Sequence, residues 1–286
     1  MSADEHALTL SCRNRPGIVA AISQCLFENG ADIHEAHQFD DAETGVFFAR
    51  IGFGFVGSPN VDRLRSTFSE IAKSFSMTWK IRAISDRMRV LLLASRFDHC
   101  LVDLLYRWRA GELPMEVTGI VSNYARDTYR YHDFEGVPFD HLPITKDNKP
   151  QQEAEISRIV QERNIDLVVL ARYMQVLSED LASKLSGRCI NIHHSFLPGF
   201  KGAKSYYQAH SRGVKLIGAT AHYVTSDLDE GQIIEQDVER VSHHDTAEAL
   251  VRNGRDIERR VLSRAVAWHL DSRVILNGRK TVVFRD

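Results

Sequence analysis

The sequence predicts an α/β protein of two domains, a βαββαβ domain followed by a larger open-sheet domain. The N-terminal third alternates strand-like runs with amphipathic helical segments in that order, and the remainder contains apolar strand-like runs that end in polar residues. A length of 286 residues, with 43% hydrophobic and 26% charged residues, is sufficient for two globular cores.

The first domain is predicted over residues 1–85. Apolar runs predict its strands, helical periodicity predicts its helices, and Asn29-Gly30 and the polar segment 40–45 supply turns. The predicted order is a strand at 8–12, a helix at 16–27, strands at 33–39 and 46–55, a helix at 61–75 and a strand at 78–84.

The first strand-to-helix turn reads Arg13-Asn14-Arg15-Pro16-Gly17-Ile18-Val19. Together with the βαββαβ order, this turn resembles that of ACT domains, which have a ferredoxin-like fold. The resemblance implies that a small amino acid such as glycine or methionine binds as an effector near Asn14, Pro16, Gly17 and Ile18. It also implies that such sheets pair between subunits, so we expect a homo-oligomer.

Gly52, Gly54 and Gly57 satisfy the G-x-G-x-x-G pattern of dinucleotide-binding folds. In those folds the helix begins within the glycines, so that the pyrophosphate lies at the helix N-terminus. Here Ser58-Pro59-Asn60 stands between the glycines and the next predicted helix, and no crossover to a parallel strand follows. We therefore expect no NAD binding at this segment.

The second domain is predicted over residues 88–286, after the short linker 85–87. Its apolar strands are predicted at 89–93, 166–170 and 216–224, and residues 189–193 read as a further extended segment. A helix start at 245–248, a helix continuing to about residue 270 and an Asn277-Gly278 hairpin turn complete the domain.

Three polar residues of this domain are suited to acyl transfer. Side chains two apart on an extended segment share a face, so Asn191 and His193 can converge on one target while Ile192 and His194 face away. An amide and an imidazole can stabilise an oxyanion, and the carboxylate of Asp229 can orient the imidazole and hold a water. These are the groups needed to add a nucleophile to a carbonyl.

The same residues carry a resemblance to the folate-dependent formyltransferase family, whose catalytic domain is a Rossmann-like open sheet. Asn191-x-His193, Ser195-x-Leu197-Pro198 and Asp229-x-Gly231 match its motifs, and the separation of 38 residues (229 − 191) is typical of it. The resemblance implies 10-formyltetrahydrofolate as substrate and no tightly bound cofactor. It implies that the folate is held by Met174, Gln175, Val176 and Leu177 on one side and by Ser226, Asp227 and Leu228 on the other.

One departure from the family's transferases favours a hydrolase. Transferases that act on glycinamide ribonucleotide resemble one another in a glycine-rich turn after the first strand, where backbone N–H groups approach the acceptor's phosphate. The corresponding segment 94–100 has no glycine, so its side chains should prevent that approach. We expect water as the acceptor and formate as the product, with either Asp229 or His193 as the base.

Three alternatives remain at this stage. The acceptor could be an amine other than glycinamide ribonucleotide, or the chain could act mainly as an amino-acid-responsive folate sensor. A metal-dependent amidohydrolase is less favoured, because His193 and His194 alternate faces and no His-Glu-x-x-His or Cys-x-x-Cys spacing completes a metal site.

Composition and charge limit which binding partners and which cellular compartment we expect. A net charge of −2, with no basic tract and no long apolar run, gives no reason to expect nucleic-acid or membrane partners. The four cysteines lack disulfide or metal spacing and the N-terminus lacks the apolar region of a signal peptide, so a cytoplasmic protein is expected.

Overall fold

The computed structural model describes residues 5–132, 134–199 and 204–285. The chain divides into two compact units. The first comprises Met1–Arg87, Asp271–Asn277 and Val282–Asp286, and the second comprises Met88–Leu270 and Gly278–Thr281. The sequence assigned everything after residue 88 to the second domain, whereas most of the segment after residue 270 groups with the first unit.

The first unit contains an antiparallel four-stranded sheet in the order β2-β3-β1-β4, as the βαββαβ pattern predicts. One face of the sheet packs against both helices, through residues such as Leu8, Phe53, Leu26 and Phe68. The elements are β1 (His6–Arg13), α1 (Ile18–Glu28), β2 (Ala31–Asp41), β3 (Val46–Phe55), α2 (Val61–Phe75) and β4 (Thr78–Ala83).

The other face of this sheet is covered by residues from the end of the chain. Phe48 of β3 is 1% exposed and packs in a cluster with Val282 and Phe284. The hairpin that delivers these residues consists of β12 (Val274–Asn277) and β13 (Lys280–Val283). Burial of aromatic side chains on both faces makes this sheet a central layer rather than a half-exposed one.

An ion-pair network lies beside this cluster. Arg50 is 3% exposed and contacts the carboxylates of Glu35 and Asp271, the latter at 3.0 Å. Arg273 bridges the same two carboxylates at 3.1 and 2.5 Å, and His37 Nε2 lies 2.6 Å from Glu35. Burial acts to raise the pKa of Glu35, but hydrogen bonds from His37 and Arg50 and the positive charges of both arginines bring it down to about 2.

The second unit is built on a seven-stranded sheet in the order β11-β10-β9-β8-β5-β6-β7. Strands β9, β8, β5, β6 and β7 run parallel, whereas β10 and β11 pair antiparallel at one end. The strands are β5 (Met88–Ala94), β6 (Met115–Ser122), β7 (Phe139–His141), β8 (Leu167–Leu170), β9 (Cys189–His193), β10 (Leu216–Tyr223) and β11 (Ile233–Arg240).

Helices flank this sheet, as an open α/β fold requires. Apolar positions of the central strands, including all of β8, are buried on both faces. The helices are α3 (His99–Arg109), α4 (Lys149–Glu162), α5 (Glu179–Lys184), α6 (Ser205–Ser211) and α7 (Ala247–Leu270), and α7 packs on β9, β10 and β11. Within the described residues, no helix combines the length and apolarity needed to span a membrane.

Candidate active site

Asn191 and His193 lie on β9 at the polar end of the parallel strands, and β10 runs antiparallel beside them. The cross-strand partner of Asn191 is His222, a residue that the sequence did not single out. The side-chain amide nitrogen of Asn191 lies 3.2 Å from His222 Nε2. Open α/β sheets bind ligands at this end of their strands.

His222 determines how Asn191 is oriented. Its Nδ1 lies 2.8 Å from the carbonyl oxygen of Tyr223, which can only accept, so Nδ1 carries the proton. Burial lowers the pKa of His222, outweighing the opposing effects of that hydrogen bond and of Asp229, and the ring is therefore neutral. Nε2 then has a lone pair that accepts one N–H of Asn191, and the amide's second N–H is directed elsewhere.

Asp229 reaches the same place from the loop between β10 and β11. Its Oδ1 lies 3.2 Å from His193 Nδ1, and both side chains are only 5% exposed. The carboxylate therefore favours the tautomer with a proton on Nδ1. Nε2, on the opposite side of the ring, can then accept or donate a proton.

The surroundings of Gly231 explain why the Asp-x-Gly motif requires glycine at its third position. A Cβ at this position would lie 1.7 Å from the carbonyl oxygen of Tyr223, a separation that no side chain tolerates. Asp229 itself has a positive φ of 57°, a conformation that Asp and Asn adopt more readily than most residues. The loop must pass close to β10 to present its carboxylate.

The segment after β9 is held by side-chain hydrogen bonds. Thr220 of β10 accepts from the backbone N–H of Leu197 at 3.0 Å and donates to the carbonyl of Ser195 at 2.9 Å. Gln236 donates to the carbonyl of Leu197 at 3.0 Å and to Thr220 Oγ1 at 2.9 Å. These contacts hold the Ser-x-Leu-Pro segment beside the strands that carry Asn191.

The three residues open into a cavity of about 320 Å³. Its wall is mainly apolar and continues from β8 across β9 to the loop that carries Asp229. The structure places all seven residues expected to hold folate on this wall: Met174, Gln175, Val176, Leu177, Ser226, Asp227 and Leu228. Their contact with folate remains a prediction.

The glycine-free turn after β5 is hydrogen-bonded to the segment that lines the cavity. Ser95 is 1% exposed, and its hydroxyl accepts from the backbone N–H of Met174 at 3.0 Å and donates to Asn123 at 2.6 Å. Its carbonyl accepts from Tyr129 Oη at 2.5 Å. These hydrogen bonds involve the Ser95 side chain and backbone. A glycine-rich turn would instead expose its backbone to a ligand.

His194 departs from the prediction that it faces away from the site. The strand ends at His193, so the alternation of faces does not extend to His194. Ile192, inside the strand, also lines the cavity although the prediction placed it on the opposite face. The ring centroids of His193 and His194 are 5.1 Å apart.

The expected effector residues occupy the turn between β1 and α1. Asn14 donates to Asp40 Oδ2 at 2.6 Å, and Gly17 has a φ of 94° at the start of α1. Pro16 is exposed, whereas Ile18 is 2% exposed and belongs to the core. A ligand at this turn would meet Asn14, Pro16 and Gly17, and such binding remains a prediction.

A group of potential metal ligands lies elsewhere in the second unit. Ligand atoms of His99, Cys100 and Glu258 lie within 4.8 Å of one another. Burial, reinforced by the Glu258 carboxylate, raises the pKa of the Cys100 thiol well above its usual value, and the Arg172 guanidinium lies 3.2 Å from Glu258. A protonated thiol and an adjacent cation do not fit a metal ion.

Comparison with known proteins agrees with this geometry. Residues 88–266 match the sequence model of the formyl transferase family. A protein named formyltetrahydrofolate deformylase from Corynebacterium sp. (strain P-1) is 50% identical over 98% of both chains. The chain belongs to the formyltetrahydrofolate deformylase family.

Further relatives give the same result. The formyltetrahydrofolate deformylase of Bacillus subtilis (strain 168) is 46% identical over 98% of this chain and 94% of its own length. The crystal structure of formyltetrahydrofolate deformylase from Burkholderia mallei superposes with a TM-score of 0.93 at 50% identity, covering 99% of this chain and all of that one. The predicted fold class and the predicted family are both confirmed.

A more distant structure matches a smaller share of this chain. Glycinamide ribonucleotide transformylase 1 from Symbiobacterium toebii is 29% identical, with a TM-score of 0.64, and covers 72% of this chain against 97% of its own. The full-length match to deformylases therefore includes a region that this transformylase does not cover.

Proposed function

We propose that the protein hydrolyses 10-formyltetrahydrofolate to formate and tetrahydrofolate. The observation that carries this proposal is the convergence of Asn191, His193 and Asp229 on one cavity that is otherwise mainly apolar. An apolar slot with a few polar groups at one end suits a flat heterocycle whose reactive substituent must meet those groups. Relatives over the full length of the chain carry the deformylase name.

Water is activated by the pair formed by His193 and Asp229. Because Asp229 accepts from Nδ1 of His193, the opposite nitrogen is positioned to take a proton from the attacking water. The imidazolium that forms is stabilised by the adjacent carboxylate. This arrangement favours His193 as the proton acceptor and Asp229 as the group that orients it.

Asn191 stabilises the oxyanion. One of its two amide N–H groups is used by His222, so the second is available to the oxygen of the formyl group. Because neutral His222 already fixes the Asn191 amide, this donor need not reorient when negative charge develops on the formyl oxygen. Removal of one such donor costs about a hundredfold to a thousandfold in rate.

The step balances without any further reactant. The water oxygen bonds to the formyl carbon, and one water proton passes to His193. Collapse of the tetrahedral intermediate breaks the bond from carbon to N10, and N10 takes the proton from His193. The second water proton leaves as the product ionises to formate, so no tightly bound cofactor is needed.

The experiment that tests the function is an assay of formate release with purified protein and 10-formyltetrahydrofolate alone. A hydrolase releases formate and tetrahydrofolate in equal amounts without an acceptor. A transferase to an amine releases almost none until the amine is added. Absence of formate in the presence of tight folate binding would instead support a folate-binding sensor.

We further propose that Met174–Leu177 and Ser226–Leu228 contact the pterin ring, since both segments line the cavity. Replacing exposed Leu228 with Asp should raise KM with a much smaller change in kcat, because uniform substrate binding is then weakened. Replacing Asp180, an exposed residue outside this cavity, with Asn is the control.

For the first unit we propose an amino-acid effector at the turn of Asn14, Pro16 and Gly17, and assembly into a homo-oligomer. The support is the ferredoxin-like sheet order and the positive φ of Gly17 at the start of α1. Calorimetry with a panel of amino acids and analytical ultracentrifugation test both points. The four free, buried cysteines fit a reducing cytoplasm, where we place the reaction.

A further inference from the structure

Arg172 is an arginine in an unusual position. It follows β8, has a positive φ of 64°, and is only 8% exposed on the wall of the reactive cavity. A bulky residue in the left-handed region is strained, and such strain is retained where surrounding structure and function require it. The mechanism described above does not use this side chain.

The guanidinium is held by a buried carboxylate. Glu258 of α7 is 1% exposed and lies 3.2 Å from Arg172 Nε. The same carboxylate accepts from His99 Nε2 at 2.8 Å and from Tyr206 Oη at 3.0 Å. Burial acts to raise the pKa of Glu258, but the hydrogen bond from His99 and the charge of Arg172 bring it below its usual value, so the carboxylate is ionised.

Part of the guanidinium has no acceptor. Among the described residues, the buried Nη1 of Arg172 lacks a hydrogen-bond partner, and Nε makes an ion-pair contact with Glu258 without a hydrogen bond of good geometry. Arginine donors are almost always satisfied when buried, and their fork geometry matches a carboxylate. His194 also lines the cavity, and burial followed by the charge of Arg172 lowers its pKa to about 3, so the ring is neutral and adds no competing charge.

We propose that Arg172 binds the carboxylate of the nascent formate, an inference that rests on the proposed hydrolysis. The chemistry of the product distinguishes the two reaction classes of this fold. Transfer of a formyl group to an amine gives a neutral amide, whereas transfer to water gives an anion that must be accommodated where it forms. A preorganised cation at that place can bind the anion that only this reaction leaves behind.

The role differs from that of a structural ion pair between Arg172 and Glu258. A purely structural pair would affect unfolding without changing the affinity for formate. A formate site makes the affinity for small carboxylates depend on the guanidinium, even when no folate is present.

The main test uses Arg172→Gly, because glycine adopts the positive φ without strain and removes the guanidinium. Arg172→Gly/Glu258→Gln removes the buried carboxylate charge as well, and serves if the single variant does not fold. Arg255→Gln is the matched control, since Arg255 stacks over the Phe97 ring at 5.4 Å, as Arg172 does at 5.8 Å, and does not line the cavity.

Line broadening of ¹³C-formate measures binding directly, and formate inhibition of turnover measures it in the working enzyme. We expect the dissociation constant for formate to rise at least tenfold in Arg172→Gly and to stay within twofold in the control. Added guanidinium should restore part of the lost affinity. Tetrahydrofolate inhibition should be unchanged.

Equal formate binding by the wild-type protein and by a folded variant lacking Arg172 would overturn the assignment. Formate release is measured separately with the wild-type enzyme. A protein that releases no formate contradicts the proposed hydrolysis, whereas unchanged formate binding in variants of an active enzyme contradicts only the role of Arg172.

Discussion

Replacement of Asp229 by Asn tests the central pair of the site with the least disturbance. Asparagine keeps the size of the side chain and tolerates the φ of 57°, so the loop should retain its path. The new amide can present N–H to His193 Nδ1, which places the imidazole proton on the opposite nitrogen. That nitrogen can then no longer accept a proton from water.

The expected loss of activity follows from the 3.2 Å separation of Asp229 Oδ1 and His193 Nδ1 and from the 5% exposure of both side chains. In such a water-excluded pair, reversal of the tautomer costs roughly 10³- to 10⁴-fold in kcat, equivalent to about 4 to 5.4 kcal/mol. KM should change little, because the apolar wall that lines the cavity is unaltered. Formate release under saturating 10-formyltetrahydrofolate is the assay.

Asp180→Asn is the control for this prediction, since Asp180 is exposed and lies outside the cavity. We expect its kcat to remain within tenfold of the wild-type value. If Asp229→Asn retained kcat within tenfold as well, Asp229 would have no part in water activation and the reasoning would be refuted.

Three further outcomes follow from the structure. His222→Phe removes the acceptor that orients Asn191, so kcat should fall about ten- to a hundredfold while the melting temperature changes by only a few degrees; unchanged kcat would exclude this orienting role. Gly231→Ala should destabilise the fold by about 3 kcal/mol in urea titrations, because its Cβ would overlap the carbonyl of Tyr223; full stability would mean that the loop shifts freely. The pKa of Glu35 is lowered from 4.5 to about 2, so its contribution to stability is present above pH 4.5 and is lost as the pH falls towards 2. The urea midpoint of Glu35→Gln should therefore vary less between pH 5 and 2.5 than that of the wild type, and parallel profiles would contradict the assignment.

Local signals were sufficient for the elements of the first unit, whereas β6, β7, β11 and helices α3 to α6 of the second unit were not predicted. The hairpin strand Val46–Phe55 and the helix Val61–Phe75 end where the sequence places them, because turn residues and an Asn60 cap bound them on either side. The predicted strand at 8–12 was too short. In the structure β1 is lengthened at both ends, since it is paired on both sides by β3 and β4.

The grouping of residues 271–277 with the first unit could not be read from the sequence. Their contacts, such as that of Arg50 with Asp271, join positions 221 residues apart and leave no periodic or local signal. The sequence predicted a hairpin here correctly, but not the sheet face that this segment covers.

The residues of the candidate site that belong to sequence motifs could be predicted. Those that matter only through their three-dimensional position could not. Asn191, His193 and Asp229 stand in a recognisable pattern. His222 gains its importance only from the register that places it opposite Asn191, which a single histidine on an apolar strand does not reveal. The conformation of Arg172 and the role proposed for it were equally hidden, because a positive φ has no signature in a residue other than glycine.

The covering of Phe48 by Val282 and Phe284 has a consequence for biosynthesis. Residues 88–270, a stretch of 183 residues (270 − 87), are translated between the first part of this unit and the part that completes it. At elongation rates of roughly 5 to 20 residues per second this takes roughly 10 to 40 seconds, during which the aromatic face of the nascent sheet lacks its cover. Ribosomes stalled before residue 271 should therefore present a chaperone-binding surface that disappears once the last residues emerge.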